Sequence, residues 1–135
     1  MLIREWDDRL INFTPEELMC KKTGGYKFHP EFALKLQLAR TACAFPFYPT
    51  SCCRSQAHND SLSNSSPKSL HVYDEPNRGA QGTCAIDIKL TDSAQRAELL
   101  KVGLMYGFSF YYIGGNPNFI HLDLRTDLGE TQVAW

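Results

Sequence analysis

His71, Asp87 and His121 are the residues whose types and settings in this chain could do chemistry. In the stretch SLHVYDEPNRGAQGTCAIDI, Ser69 to Ile88, an imidazole and a carboxylate are bracketed between polar turns and an apolar strand. Asp87 stands between Ile86 and Ile88, where an ionised carboxylate is costly without a partner, and a metal ion would be one. A catalytic zinc site takes three protein ligands and keeps a further position open for water. One more nitrogen is therefore needed, and Phe119-Ile120-His121-Leu122-Asp123 offers it. Each residue also has an ordinary alternative: a solvated or hydrogen-bonded imidazole, or a carboxylate in a structural ion pair.

The elements that must position these groups are readable from periodicity and caps. Thr83 to Leu90 alternates Cys84, Ile86, Ile88 and Leu90 with Ala85, Asp87 and Lys89, which predicts a strand with Asp87 turned away from its aliphatic face. Phe119 to Leu124 predicts a second strand, with Ile120, Leu122 and Leu124 on one face and Phe119, His121 and Asp123 on the other. Its antiparallel neighbour is Phe108 to Ile113, joined to it by Gly114-Gly115-Asn116-Pro117. Thr14-Pro15-Glu16-Glu17 is a capping-box start for a short helix reaching about Cys20. A longer helix runs from Pro30 to near Ala44, its buried stripe Phe32, Leu36, Ala39 and Cys43, widened by Leu34 and Leu38. Another follows the cap Thr91-Asp92-Ser93, with Ala94, Ala97, Leu100 and Leu104 on one stripe and Gly107 as its stop. Phe45 to Cys53 reads as a short edge strand. Arg54 to Ser69 reads as a long surface loop that buries little, Asp74 to Gly82 as a second polar turn, and Thr131 to Trp135 as a terminal strand.

At 135 residues the chain is the size of one domain, spanning 1–135 without a linker or repeat. Its 14 basic and 15 acidic residues are scattered and leave a net charge of -1, so nucleic acid and anionic membrane surfaces are poor partners. No apolar run approaches the roughly 20 residues of a membrane span, and MLIREWDDRL carries acids where a signal peptide is basic and then apolar. The expectation is a monomer made in the cytoplasm, without membrane insertion. Five cysteines (Cys20, Cys43, Cys52, Cys53, Cys84) in irregular spacing, with no CxxC pair, argue against a disulfide framework and against a structural zinc ribbon.

Ser69-x-His71 followed by Ala85-x-Asp87-Ile88, and later Phe119-Ile120-His121-Leu122-Asp123, resembles the zinc-ligand pattern of the D-alanyl-D-alanine carboxypeptidase and phage endolysin family of peptidases, which cut peptidoglycan stem peptides. Ser51-Cys52-Cys53-Arg54-Ser55-Gln56-Ala57-His58-Asn59 resembles that family's Ser-Gly-x-Arg-Ser block, and the similarity extends from about Phe13 to Leu128. The resemblance implies an α+β fold with helices packed on one face of a small antiparallel sheet, of the hedgehog/D-Ala-D-Ala peptidase type. It also implies Zn2+ held by His71, Asp87 and His121 and acting on an amide of the stem peptide. Arg54 would stabilise the developing oxyanion or clamp a substrate carboxylate, and Ser69 and His58 would contact substrate. Without a signal peptide, the compartment fits an endolysin that collects in the bacterial host cytoplasm and reaches the wall after release.

Two departures from the family pattern stand out. Fifteen residues separate His71 from Asp87, where the family spaces the pair closely, and the excess falls in Asp74 to Gly82. The positions that carry the family's general acid/base are Asn118 and Phe119, which cannot serve. Asp123, on the same strand face as His121 with its Cα roughly 6.5 to 7 Å further along, either relays the proton or accepts a hydrogen bond from a ligand imidazole. Two rival readings follow. One is a cysteine hydrolase using Cys52 or Cys53 with His71 and Asp87. The other is a catalytically impaired zinc-containing wall-binding or phage structural module of the same fold.

Overall fold

Strands β1 (Tyr48–Ser51), β2 (Ala85–Lys89), β3 (Ser109–Tyr112) and β4 (Phe119–Asp123) form one antiparallel sheet in the order β1-β2-β4-β3. The computed structural model describes residues 2–63, 65–76, 78 and 81–130, and the expected strand Thr131 to Trp135 lies outside them. Among the described residues four α-helices accompany the sheet: α1 (Pro15–Leu18), α2 (Pro30–Ala42), α3 (Gln56–Ser61) and α4 (Ser93–Met105). The chain is thus a small single-domain α+β protein. Among the described residues no helix is long and apolar enough to cross a membrane.

The two faces of the sheet have different jobs. Ile86, Ile88, Ile120 and Leu122 are buried on the face that meets α2 and α4, where Phe32 of α2 and Phe108 meet edge to face at 6.2 Å. A Cβ on Gly103 of α4 would lie 3.7 Å from Leu122 Cδ2, so that helix runs directly over β4. Asp87, His121 and Asp123 occupy the opposite face. Register makes them meet, because β2 and β4 pair Asp87 with His121 and Ala85 with Asp123. β1 joins the edge of β2 with a register break between Pro49 and Ser51 that sets Ser51 opposite Asp87.

Burial of β2 is fuller than simple alternation predicts, since Ala85 to Ile88 are all buried and Lys89 alone is exposed. The strand is central, and its polar face is covered by the segment that carries Arg54 and His71. The helices begin where their caps predict. Thr14 and Glu17 form the reciprocal capping box, and the Asp92 side chain accepts the N–H groups of Ala94 and Gln95.

Two buried stripes differ from expectation. In α2, Ala33 and Gln37 join Phe32, Leu36 and Ala39 inside, whereas Leu38 is exposed. Gln37 is tolerated there because its amide bonds Asn12 and Thr41. In α4 the buried residues are Leu99 and Gly103, while Ala94, Ala97 and Leu104 face outward. Small alanines carry little apolar surface, so the register of this helix follows Leu99 and the close approach at Gly103.

The stretch expected as a loop burying little holds α3. Ser55 caps it by accepting the His58 N–H, and Asn59 is fully buried with its amide on the Ser66 carbonyl. Asp74 accepts the Gln56 N–H from beyond the loop, and Gln56 bonds Asp60 and the Pro67 carbonyl. Local hydrogen bonds thus order a polar sequence that apolar periodicity does not reveal.

Candidate metal centre

Asp87 and His121 are brought together by strand pairing, and His71 by a set of backbone ties outside the sheet. The His71 carbonyl accepts the Arg54 N–H at 2.9 Å and the Thr83 hydroxyl at 2.8 Å, and its N–H donates to Ser69 Oγ. Cys84 N–H donates to the Leu70 carbonyl, which stitches the start of the long excursion to its end. Gly82 makes that closure possible. It sits at φ +94°, and a Cβ there would lie 2.6 Å from the Phe28 carbonyl carbon and 2.8 Å from His29 N. The excursion therefore leaves His71 and Asp87 next to each other, as its turn-rich composition predicts.

Three donor atoms converge. His121 Nδ1 lies 2.9 Å from Asp87 Oδ1, His71 Nε2 lies 3.1 Å from the same oxygen, and the two nitrogens are 3.3 Å apart. A tetrahedral ion with donors at roughly 2.0 to 2.2 Å has donor–donor edges of about 3.3 to 3.6 Å. The triangle matches one face of that tetrahedron once it opens by a few tenths of an ångström. Buried His71, Asp87 and His121 are close enough to hold a metal ion.

The outer nitrogens of the two rings decide what the inner ones present. His71 Nδ1 donates to the Cys52 carbonyl at 2.7 Å, and His121 Nε2 donates to Asp123 Oδ2 at 2.8 Å. In the neutral rings His71 Nε2 and His121 Nδ1 then carry lone pairs, both aimed at a carboxylate oxygen. Three lone pairs facing one point repel unless a cation, either a metal or a proton, sits among them. The same arrangement of outer hydrogen bonds is the usual support of metal-ligating histidines.

With a proton rather than a metal among the donors, charge and burial oppose each other. Burial would raise the Asp87 carboxyl, but the neighbouring His71, and the hydrogen bonds that the imidazoles donate when protonated, hold it well below the usual carboxylate range. Burial pushes His71 down against the pull of Asp87. For His121 burial pulls the same way, but the hydrogen bonds to Asp123 and Asp87 outweigh it and raise the ring.

Of the two roles expected for Asp123, the hydrogen bonds match the orienting one. Its Oδ1 accepts from Arg125 N–H and Nε, and its Oδ2 from Arg125 Nη2 and His121 Nε2, at 2.7 to 3.1 Å. The residue is 1% exposed, and Arg125 holds its carboxyl well below the usual range against the opposing effect of burial. Arg54 donates Nη2 to Asp87 Oδ2 at 3.3 Å and Nε to Ser51 Oγ at 3.1 Å, which braces the Asp87 carboxylate through the oxygen that the imidazoles do not use.

A cleft of about 380 Å³ opens over the triangle, lined by Arg54, Ser69, Arg78, Tyr111 and Arg125 beside His71, Asp87 and His121. Ser69 is thus among the residues lining the cleft. His58 does not line this cleft; its Nδ1 is 3.6 Å from Cys20 Sγ.

Neither Cys52 nor Cys53 directs a thiol at His71. Cys52 Sγ donates to the Ala85 carbonyl and Cys53 Sγ to that of Lys27, both residues are buried, and burial pushes the Cys52 thiol up. Cys52 serves the site through its carbonyl instead.

Sequence reasoning missed Arg125 and Tyr111. The period-2 string His121-x-Asp123-x-Arg125 was the available signal for the first. For the second, the signal was the pairing of β3 with β4, which sets Tyr111 opposite His121 and stacks the rings at 4.4 Å and 20°. The chain matches no protein-family model, no curated protein and no solved structure.

Proposed function

We propose that this protein is a zinc-dependent peptidoglycan peptidase of the endolysin type, hydrolysing an amide bond in the stem peptide of the bacterial cell wall after release from the host cytoplasm. The observation that carries the reading is the convergence of three buried donor lone pairs, with tautomers fixed from outside, on the floor of a cleft. Sequence strings resembling those of zinc carboxypeptidases and endolysins supply the substrate class. When bound, the metal supplies a Lewis acid and a water whose pKa is brought toward neutrality.

The chain's own groups do the rest. Cys52 and Asp123 hold the two imidazoles with their lone pairs inward. Arg54 pairs with Asp87 Oδ2 and sets a fixed positive charge beside the place where a carbonyl oxygen would gain negative charge. Ser69 and Tyr111 flank the substrate path.

The test is digestion of purified peptidoglycan with added zinc, read by mass spectrometry of the released peptides. Fragments that disappear with a chelator and in His121→Ala support the reading, and their masses identify the bond cut. A zinc-loaded protein that releases none sinks it. One observation favours a second reading, a zinc-containing wall-binding or phage structural module without turnover. Among the described residues lining the cleft, no carboxylate or imidazole remains beyond the three ligands and the fully bonded Asp123 to move a proton. That module would sediment with peptidoglycan and leave it intact.

A further inference from the structure

We propose that Arg125 is a positioning residue for the metal centre, holding the imidazole of His121 through the carboxylate of Asp123. The proposal rests on reading His71, Asp87 and His121 as metal ligands, and is independent of what the cleft binds.

The two ligand rings are fixed differently. His71 leans on a neutral backbone carbonyl, which costs little to bury once bonded. His121 leans on a carboxylate of 1% exposure, and a lone buried carboxylate is expensive. A mobile or weakly held carboxylate would also swing, taking the ring with it. Arg125 removes both problems with a two-pronged fork, Nε to Oδ1 at 2.9 Å and Nη2 to Oδ2 at 2.7 Å. The fork fixes the plane of the carboxylate, and so the direction from which Oδ2 meets His121 Nε2.

Sequence spacing alone does not produce this contact. In a continuing strand, residues two apart stand side by side with Cα atoms roughly 6.5 to 7 Å apart. Here Leu124, at φ −105° and ψ 49°, ends β4, and residues Arg125–Leu128 curl into a 3₁₀ turn. That curl lets the Arg125 N–H close on Asp123 Oδ1 at 3.1 Å, a turn in which the aspartate bonds the backbone two residues on. The turn is tied to the rest of the fold from two sides. Lys35 of α2 pairs with Asp127 at 3.0 Å, and the Thr126 hydroxyl donates to the Gly107 carbonyl beyond the end of α4. Arg125 is therefore held by the helical layer, and it passes that rigidity on to the ligand.

The experiment measures zinc affinity by competition with a chromophoric chelator, together with the visible absorption of the cobalt-substituted protein, for wild type, Arg125→Met, Arg125→Lys, Asp123→Asn and the double variant. Arg125→Met should weaken zinc binding by about 10- to 100-fold and alter the cobalt ligand-field bands, with the apo protein's circular dichroism unchanged. Lysine, a point charge without the fork, should restore part of the affinity. The double variant should bind as Asp123→Asn alone does, because Arg125 acts through that carboxylate. Wild-type affinity and an unchanged cobalt spectrum in Arg125→Met would overturn the proposal, as would losses that multiply in the double variant. If Arg125→Met does not fold, Arg125→Lys carries the same readouts, and wild-type values there overturn it. A wild-type chain that binds no zinc overturns both this proposal and the metal reading beneath it.

Discussion

Asp87 is the residue on which the donor set turns, because one of its oxygens meets both imidazoles while the other meets Arg54. Asp87→Ala should abolish stoichiometric zinc binding, and Asp87→Asn should cost at least as much as loss of either histidine, since an amide presents a neutral oxygen to the cation. Zinc content after dialysis, determined by atomic absorption, checks this, and retention of one equivalent would contradict it. The three candidate donors were legible because each is a polar type set among apolar neighbours. The Cys52 carbonyl was not, since every residue has a carbonyl and only the fold selects one. His58 looked like a substrate contact in a polar string but is claimed by Cys20.

Cys20 has a pH consequence of its own. Burial opposes ionisation of Cys20, but hydrogen bonds from the Thr23 side chain and from backbone N–H groups, including that of Ser55 at 3.4 Å, bring it down to about 6. The folded value lies below the unfolded one of roughly 8.5. The thiolate's contribution to stability is therefore fully present above the unfolded value and is lost as pH falls through about 6. The urea midpoint of wild type relative to Cys20→Ser should thus rise between those two pH values, and a constant difference would refute the assignment.

Elements were legible in proportion to their apolar content. α2 and α4 announced themselves by caps and periodicity, and β2, β3 and β4 by aliphatic or aromatic alternation. The errors lie where side chains are small or polar. The alanines of α4 were assigned to the core although Leu99 and Gly103 face it, and α3 was hidden because Ser55, Asn59 and Asp74 order it by hydrogen bonds that leave no periodic trace. The fifteen-residue separation of His71 and Asp87 departs from the spacing of the peptidase family it resembles, yet its cost is only that of a longer loop. Gly82 is where that loop is made to close. Gly82→Ala should destabilise the fold by about 1 to 3 kcal/mol through backbone strain, with the clash against Phe28 added. It should also weaken zinc binding, because the neighbouring Thr83 bonds the His71 carbonyl. Denaturant titration and zinc competition test the two effects, and a stable variant with wild-type affinity would show that the closure is not required.

At the scale of the whole molecule, a small core and a polar centre share one sheet, with the aliphatic face toward α2 and α4 and the donor face toward the cleft. A ligand that binds only the folded chain stabilises it by mass action, by about 2.7 kcal/mol at one hundred times its dissociation constant. Zinc should therefore raise the thermal midpoint of the wild type by several degrees, and a chelator should reverse the shift. His121→Ala should show neither effect, and a midpoint indifferent to zinc in the wild type would argue against the site.

The donors also differ in how the chain delivers them. Asp87 and His121 are locked into the sheet ladder, whereas His71 comes from irregular chain held by four hydrogen bonds. In the metal-free protein the His71 segment is thus the part that can open without unfolding the sheet. A metal would then act as a clasp on a hinged strap, drawing together points 16 and 34 residues apart in the chain. Hydrogen–deuterium exchange should register this as local slowing on zinc addition at the Arg54, Val72 and Cys84 amides, while the β3–β4 amides, already protected, change little.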